Sequence, residues 1–142
     1  MSVEIATGKA KCNDCGEPIP KGARCWHQRV NSRAYPYFCL SCIERMQRLI
    51  SGKTKLVNYF IHTVDGVMMA VRDGQILESP DCKPIGIGRS AEQTWQVDLA
   101  KADEALKAEF GDKRVRWYGY DYDRANDHEN VRRMVFHVEE EV

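Results

Sequence analysis

Cys12-Asn13-Asp14-Cys15 and Cys39-Leu40-Ser41-Cys42 form two Cys-x-x-Cys pairs with twenty-three residues between them, and their reading decides the fold of the first third of the chain. Each pair places two sulfurs about one turn apart, so that both reach a single ion at roughly 2.3 Å. Two pairs then close a tetrahedral site and leave no position for water, which makes the centre structural and not catalytic. The spacing predicts zinc held by Cys12, Cys15, Cys39 and Cys42. Cys25 and His27 lie between the pairs, and either can replace one of the four on sequence grounds; otherwise Cys25 and Cys82 read as small buried apolar residues. In isolated fingers the binding free energy of such a metal, on the order of 10 kcal/mol, is folding free energy.

Working outward, the segment Gly16-Glu17-Pro18-Ile19-Pro20-Lys21-Gly22 is turn chemistry, with prolines that fix φ and glycines that accept positive φ. It returns the chain over the metal. Residues 24–30 and 34–38 read as two short strands around Asn31-Ser32, and they carry Trp26, Tyr35, Tyr37 and Phe38 as core for a unit too short to build one otherwise. Val3 and Ile5 suggest a further short strand. The second cysteine pair opens a helix, because Ile43, Met46, Leu49 and Ile50 follow at helical spacing and Gly52 stands where a C-terminal cap belongs.

Cys-x-x-Cys-Gly followed by Ile19, Lys21 and Gly22, with aromatic residues just ahead of the second pair, resembles the treble-clef zinc finger superfamily over about residues 10–52. It is loosely similar to poly(ADP-ribose) polymerase-type fingers, which use a His-x-x-Cys second pair where this chain has Cys39 and Cys42. The resemblance implies a knuckle, a β-hairpin and a helix that carries the second pair.

After a short basic link at residues 53–55 the apolar period changes to two. Residues 56–64 and 67–72 flank Asp65-Gly66, and residues 75–78 follow Asp73-Gly74; two Asp-Gly turns between apolar runs predict a three-stranded antiparallel meander. Residues 79–88 then read as a loop. Ser90-Ala91-Glu92-Gln93 is a capping box ahead of Trp95, Leu99, Ala102, Leu106 and Phe110, an apolar helix face that ends at Gly111. The alternative is an extended segment from Thr94 to Leu99 with Asp98 capping a shorter helix. Residues 113–122 and 131–138 give two more strands, and residues 139–142 an acidic frayed tail. The order β-β-β-α-β-β predicts an α+β domain, an antiparallel sheet with one packed helix, over residues 55–142, behind a zinc domain over residues 1–54.

The formal charge of zero is unevenly spread. Residues 1–55 carry ten Lys or Arg against four Asp or Glu, and residues 56–142 carry eleven against seventeen. A basic head and an acidic body suit an anionic partner such as nucleic acid, or equally the pairing of head to body within one copy or between copies of the chain. The first residues lack a signal-like apolar run, and no stretch is long enough to span a bilayer, so the expectation is a cytoplasmic protein with no membrane partner. In a reducing compartment the paired cysteines favour metal over disulfides.

Candidate nucleic-acid contacts are Lys11, Lys21, Arg24, Arg29, Arg33, Arg45 and Arg48 of the head, where phosphate neutralisation would bring a steep salt dependence. In the body, Arg114, Arg116, Tyr118, Tyr120 and Tyr122 alternate along one predicted strand and so share a face, the arrangement of a single-strand stacking platform. Asp121, Asp123, Asp127, His128 and Glu129 cluster in one loop, but Ala125 and Asn126 stand where a calcium loop needs an acidic or amide group and a glycine. His62 and His137 fall inside strands without a nucleophile at diagnostic spacing. No phosphate-binding glycine motif and no deaminase signature is present. These absences favour a non-enzymatic adaptor or regulator that contacts nucleic acid or a nucleic-acid-associated protein through the zinc domain. The alternatives are a small stoichiometric inhibitor that binds a protein through the acidic domain, and a metal-dependent nuclease or hydrolase using Asp121, Asp123 and His128.

Overall fold

The computed structural model describes residues 2–27, 37–91, 95–122 and 132–142. The chain divides into two compact units, Met1–Lys53 and Thr54–Val142.

In the first unit β1 (Ser2–Ile5), β2 (Arg24–His27) and β3 (Tyr37–Cys39) form an antiparallel sheet in the order β1-β2-β3. The register places Glu4 opposite Cys25, and Cys25 opposite Cys39, so the sheet delivers the second cysteine pair at its end. Helix α1 (Leu40–Ile50) starts directly after Cys39. Gly52, at φ 77°, ends it: the Gly52 amide donates to the Leu49 carbonyl at 3.2 Å and the Lys53 amide to that of Arg48 at 3.0 Å, which is a Schellman cap. The expected outer parts of the β2–β3 hairpin, residues 28–36, lie outside the described residues. The core of this unit is chiefly sulfur and small side chains: Ala6, Cys12, Cys25 and Cys42, with Ile19 and Ile43 as the large aliphatics buried among the described residues. A core this thin calls for a covalent or metal staple.

The second unit is a five-stranded antiparallel sheet, order β6-β5-β4-β8-β7, made of β4 (Thr54–Val64), β5 (Val67–Arg72), β6 (Ile85–Arg89), β7 (Val115–Tyr122) and β8 (Arg132–Glu141). Helix α2 (Trp95–Phe110) packs on one face. The strand alternation decides which residues meet it: Val57, Tyr59 and Ile61 on β4, Met68 and Ala70 on β5, Val115 on β7 and Phe136 and Val138 on β8 bury against Ala102 and Leu106. Full burial of an apolar side chain of this size contributes about 1.5–3 kcal/mol. The Asp65-Gly66 turn has positive φ at both residues, 51° and 76°, the type I′ geometry whose twist suits a tight hairpin.

Three expectations are corrected. Residues 75–78 are not a strand: after Arg72 the Asp73-Gly74 turn, with Gly74 at φ 88°, sends the chain off the sheet. The third strand of the meander is instead Ile85–Arg89, read from sequence as loop; Ile85 and Ile87 pack on the core at alternate positions, while Gly86 and Gly88 stand opposite Met69 and Met68 of β5. The acidic end is also no frayed tail, because Glu139, Glu140 and Glu141 pair with Leu56, Lys55 and Thr54. Finally, residues 95–99 are helical, which removes the extended alternative. Asp98 works from inside the first turn, where it accepts the Ala91 amide at 2.7 Å and the Ser90 hydroxyl at 2.8 Å. The Glu92 and Gln93 of the expected capping box lie outside the described residues.

At the other end of α2, the Tyr59 ring meets Phe110 at 5.2 Å between centroids and its hydroxyl donates to Glu140 at 2.5 Å. Arg72 also donates to Glu140, at 3.0 and 3.1 Å. Burial opposes the charge on Glu140, but Arg72 and Tyr59 outweigh it and hold the carboxyl below its ordinary value. Burial, with Glu140 beside it, pushes the Tyr59 phenol up.

Candidate metal centre

The four sulfurs of Cys12, Cys15, Cys39 and Cys42 lie within 4.8 Å of one another. A tetrahedral thiolate site with metal–sulfur bonds near 2.3 Å has sulfur–sulfur edges of about 3.8 Å. The Cys15–Cys39 sulfur separation is 3.9 Å, close to such an edge, and all four sulfurs lie near enough to surround one ion. Among the described residues no other group of His, Cys, Asp or Glu converges in this way.

The local chain explains the convergence. The first pair sits in a tight turn in which the Gly16 amide donates to the Cys12 carbonyl at 2.9 Å, and Gly16 takes φ 74° to leave it. The Asn13 amide donates to the Tyr37 carbonyl at 2.7 Å, which ties this turn to β3 and brings it beside the second pair. The Cys39 amide points at the Cys12 sulfur, 3.3 Å away. Burial alone would raise the Cys12 thiol; the backbone amides of Cys15, Cys39 and Asp14 overcome it and lower it to about 7. Cys39 and Cys42 are pushed up, first by burial. The amides aimed at the Cys12 sulfur favour its thiolate, whereas burial and the neighbouring sulfurs oppose charge on Cys39 and Cys42, a cost that a bound cation would offset.

Cys25 and His27 are not part of the cluster. Cys25 is fully buried with its thiol 3.6 Å from the Glu4 carbonyl oxygen, and burial raises it. The His27 Nδ1 lies 2.8 Å from the Glu4 carboxylate, and its ring stacks on Tyr37 at 4.0 Å. Cys82 is half-buried, 3.9 Å from the Gln75 side-chain oxygen.

The basic candidates divide. Lys11, Lys21 and Arg24 are exposed, and Arg48 is half-buried. Arg45 is a correction to the expected basic face: it is 6% exposed, and its guanidinium lies 3.6 Å from the Asp14 carboxylate. The pair joins the helix of the second cysteine pair to the turn of the first. Sequence held the clue, because Arg45 is three residues beyond Cys42 and therefore shares its helix face. Arg29 and Arg33 lie outside the described residues, as do Asp123, Asp127, His128 and Glu129; Asp121 is described only as backbone within β7.

In the second unit the expected row of arginines and tyrosines is broken by a bulge. Trp117 pairs with Phe136 and Gly119 with Val135, so Tyr118 is an extra residue and Tyr120 falls on the opposite face from it. Tyr120, opposite Met134, turns to the helix side and meets Trp95 at 6.3 Å and Trp117 at 5.9 Å. Tyr118 stays on the opposite face, 68% exposed and stacked on His137 at 4.3 Å, while Arg116 donates at 2.8 Å to the Val115 carbonyl. Arg114 pairs with Glu141 at 2.9 Å.

The chain matches no protein-family model, no curated protein and no solved structure. Among the described residues no helix is long and apolar enough to cross a membrane.

Proposed function

We propose that this chain is a non-enzymatic adaptor whose first unit, a treble-clef zinc finger, contacts nucleic acid or a nucleic-acid-associated protein. The convergence of Cys12, Cys15, Cys39 and Cys42 carries the reading. Four thiolates in a tetrahedral set suit zinc, and when bound it supplies a cross-link between turn and helix and no reacting water. The exposed Lys11, Lys21 and Arg24 share the unit with that cross-link, and Arg48 is half-exposed on α1. Phosphate contacts from these cations are the expected mode, and Arg114, Arg116 and Tyr118 are a secondary set on the body.

Fluorescence anisotropy of the full chain with labelled DNA and RNA oligonucleotides, titrated across salt, is the test. Each phosphate contact removed should lower the slope of log affinity against log salt by about one. Replacement of Lys11, Lys21 and Arg24 by alanine should therefore flatten the salt dependence and weaken every sequence alike. Binding that stays undetectable at low salt overturns the nucleic-acid reading. Zinc content by native mass spectrometry tests the metal separately.

A further inference from the structure

The second unit has a cleft of about 470 Å³ where the first turn of α2 meets the helix side of the sheet. Ile61, Met68 and Met134 form its floor and the rings of Trp95 and Tyr120 its wall, while Thr63 and Asp98 supply polar atoms. Trp95 is 51% exposed, and Trp117, 6.4 Å from it, is 42% exposed. Trp95 and Tyr120 in the lining, with Trp117 beside them, offer ring faces and leave those of the indoles partly in water.

The electrostatics of the cleft choose the ligand. Among the described residues its lining holds no Lys, Arg or His, and its one charged group is the Asp98 carboxylate. That carboxylate is fixed in place by the Ala91 amide on Oδ1 and the Ser90 hydroxyl on Oδ2, and each oxygen keeps a further lone pair. Residues 56–142 as a whole carry seventeen acidic against eleven basic side chains, a net charge that favours cations over anions, and the neighbouring Lys101 amine is engaged by the Arg89 carbonyl at 3.0 Å. A fixed anion beside electron-rich ring faces recognises a cation with an apolar body, through ion pairing and cation–π attraction.

We propose that this cleft binds a small organic cation of the protonated aromatic-amine class, its ring against Trp95 and Tyr120 and its ammonium at Asp98. The inference is independent of what the first unit contacts.

Tryptamine is a suitable probe, with indole-3-acetate as the anion of similar ring and length. The isotope-labelled full chain gives three indole N–H signals, from Trp26, Trp95 and Trp117. Tryptamine should move the Trp95 and Trp117 signals saturably and leave Trp26 in place, and indole-3-acetate should bind at least about tenfold more weakly. Asp98→Asn keeps a carbonyl oxygen for the Ala91 amide and should weaken tryptamine by about tenfold. If that variant loses its folded spectrum, Trp95→Leu, which leaves Asp98 untouched, decides instead and should lose most of the binding. No saturable shift at millimolar tryptamine, equal affinity for the anion, or unchanged affinity in the folded variants would overturn the proposal.

Discussion

Cys25 and Cys42 are both fully buried cysteines of the first unit, yet their substitution should have different consequences. Cys42 belongs to the converging four, and Cys42→Ser should abolish bound metal in native mass spectrometry and with it the folded signals of β2, β3 and α1. Cys25 packs in the core of that unit with its thiol 3.6 Å from a carbonyl oxygen and lies outside the converging four, and Cys25→Ala should cost about 1 kcal/mol and leave the metal content unchanged. Metal loss in Cys25→Ala would move that residue into the site. Glu140 carries a second residue-scale prediction. Its carboxyl is held below the ordinary value by Arg72 and Tyr59, so the folded state binds its proton less readily than the unfolded one. The stabilisation is complete above the ordinary carboxylate value and disappears as pH falls through the lower folded value. In Glu140→Gln that acid-side loss should shrink, read as a flatter decline of the urea midpoint of the second unit with falling pH; an unchanged decline would remove Glu140 from the balance.

Among elements, β7 shows how a single extra residue redirects a strand. Alternation read from sequence put Tyr118 and Tyr120 on one face, and no local propensity marks the bulge that separates them, because its determinant is the register of β8 across the sheet. Gly119 is the visible trace: it takes φ 150° where an L side chain is strained, although a Cβ there would meet nothing within 4 Å. Gly119→Ala should therefore destabilise the second unit by about 1–2 kcal/mol in chemical denaturation, through backbone strain and not collision. Deletion of Tyr118 removes the extra residue and restores ordinary alternation, so it should recover part of that loss in the double variant; a collapse of the fold instead would mean that the bulge is required. The same contrast between local and distant determinants governs what the sequence disclosed elsewhere. The Asp65-Gly66 hairpin, the α2 face and both cysteine pairs are local patterns, and each was legible. Ile85–Arg89 was not, since two glycines lower its strand propensity and only pairing with β5 makes it a strand. For the Arg45–Asp14 pair, spacing from Cys42 marks the helix face of Arg45, but its partner Asp14 follows only once the turn and helix stand side by side.

At the scale of the molecule, two kinds of core stand in one chain. The second unit buries Phe136, Leu106, Met68, Val115 and Val138 almost completely and needs no cross-link to exclude water. The first unit closes around four sulfurs, with Ile19 and Ile43 as its large buried aliphatics among the described residues. Without the ion, the four sulfurs become crowded thiols, and the cross-link between the first turn and α1 reduces to the Asp14–Arg45 pair and backbone contacts such as Asn13 to Tyr37. A unit of this size with so small an apolar core does not offset its conformational entropy unaided. Chelation should accordingly unfold the chain in part. With a strong zinc chelator added to the labelled full chain, the amides of β2, β3 and α1 should lose chemical-shift dispersion and hydrogen-exchange protection, while those of β4, β5 and β8 keep theirs. Restoring zinc should reverse the change, and a metal-free Cys12→Ala variant should match the chelated spectrum without responding to zinc. Full protection of β2, β3 and α1 after the metal has been removed would show that the sulfur cluster packs without an ion, and the adaptor reading would then lose its metal centre.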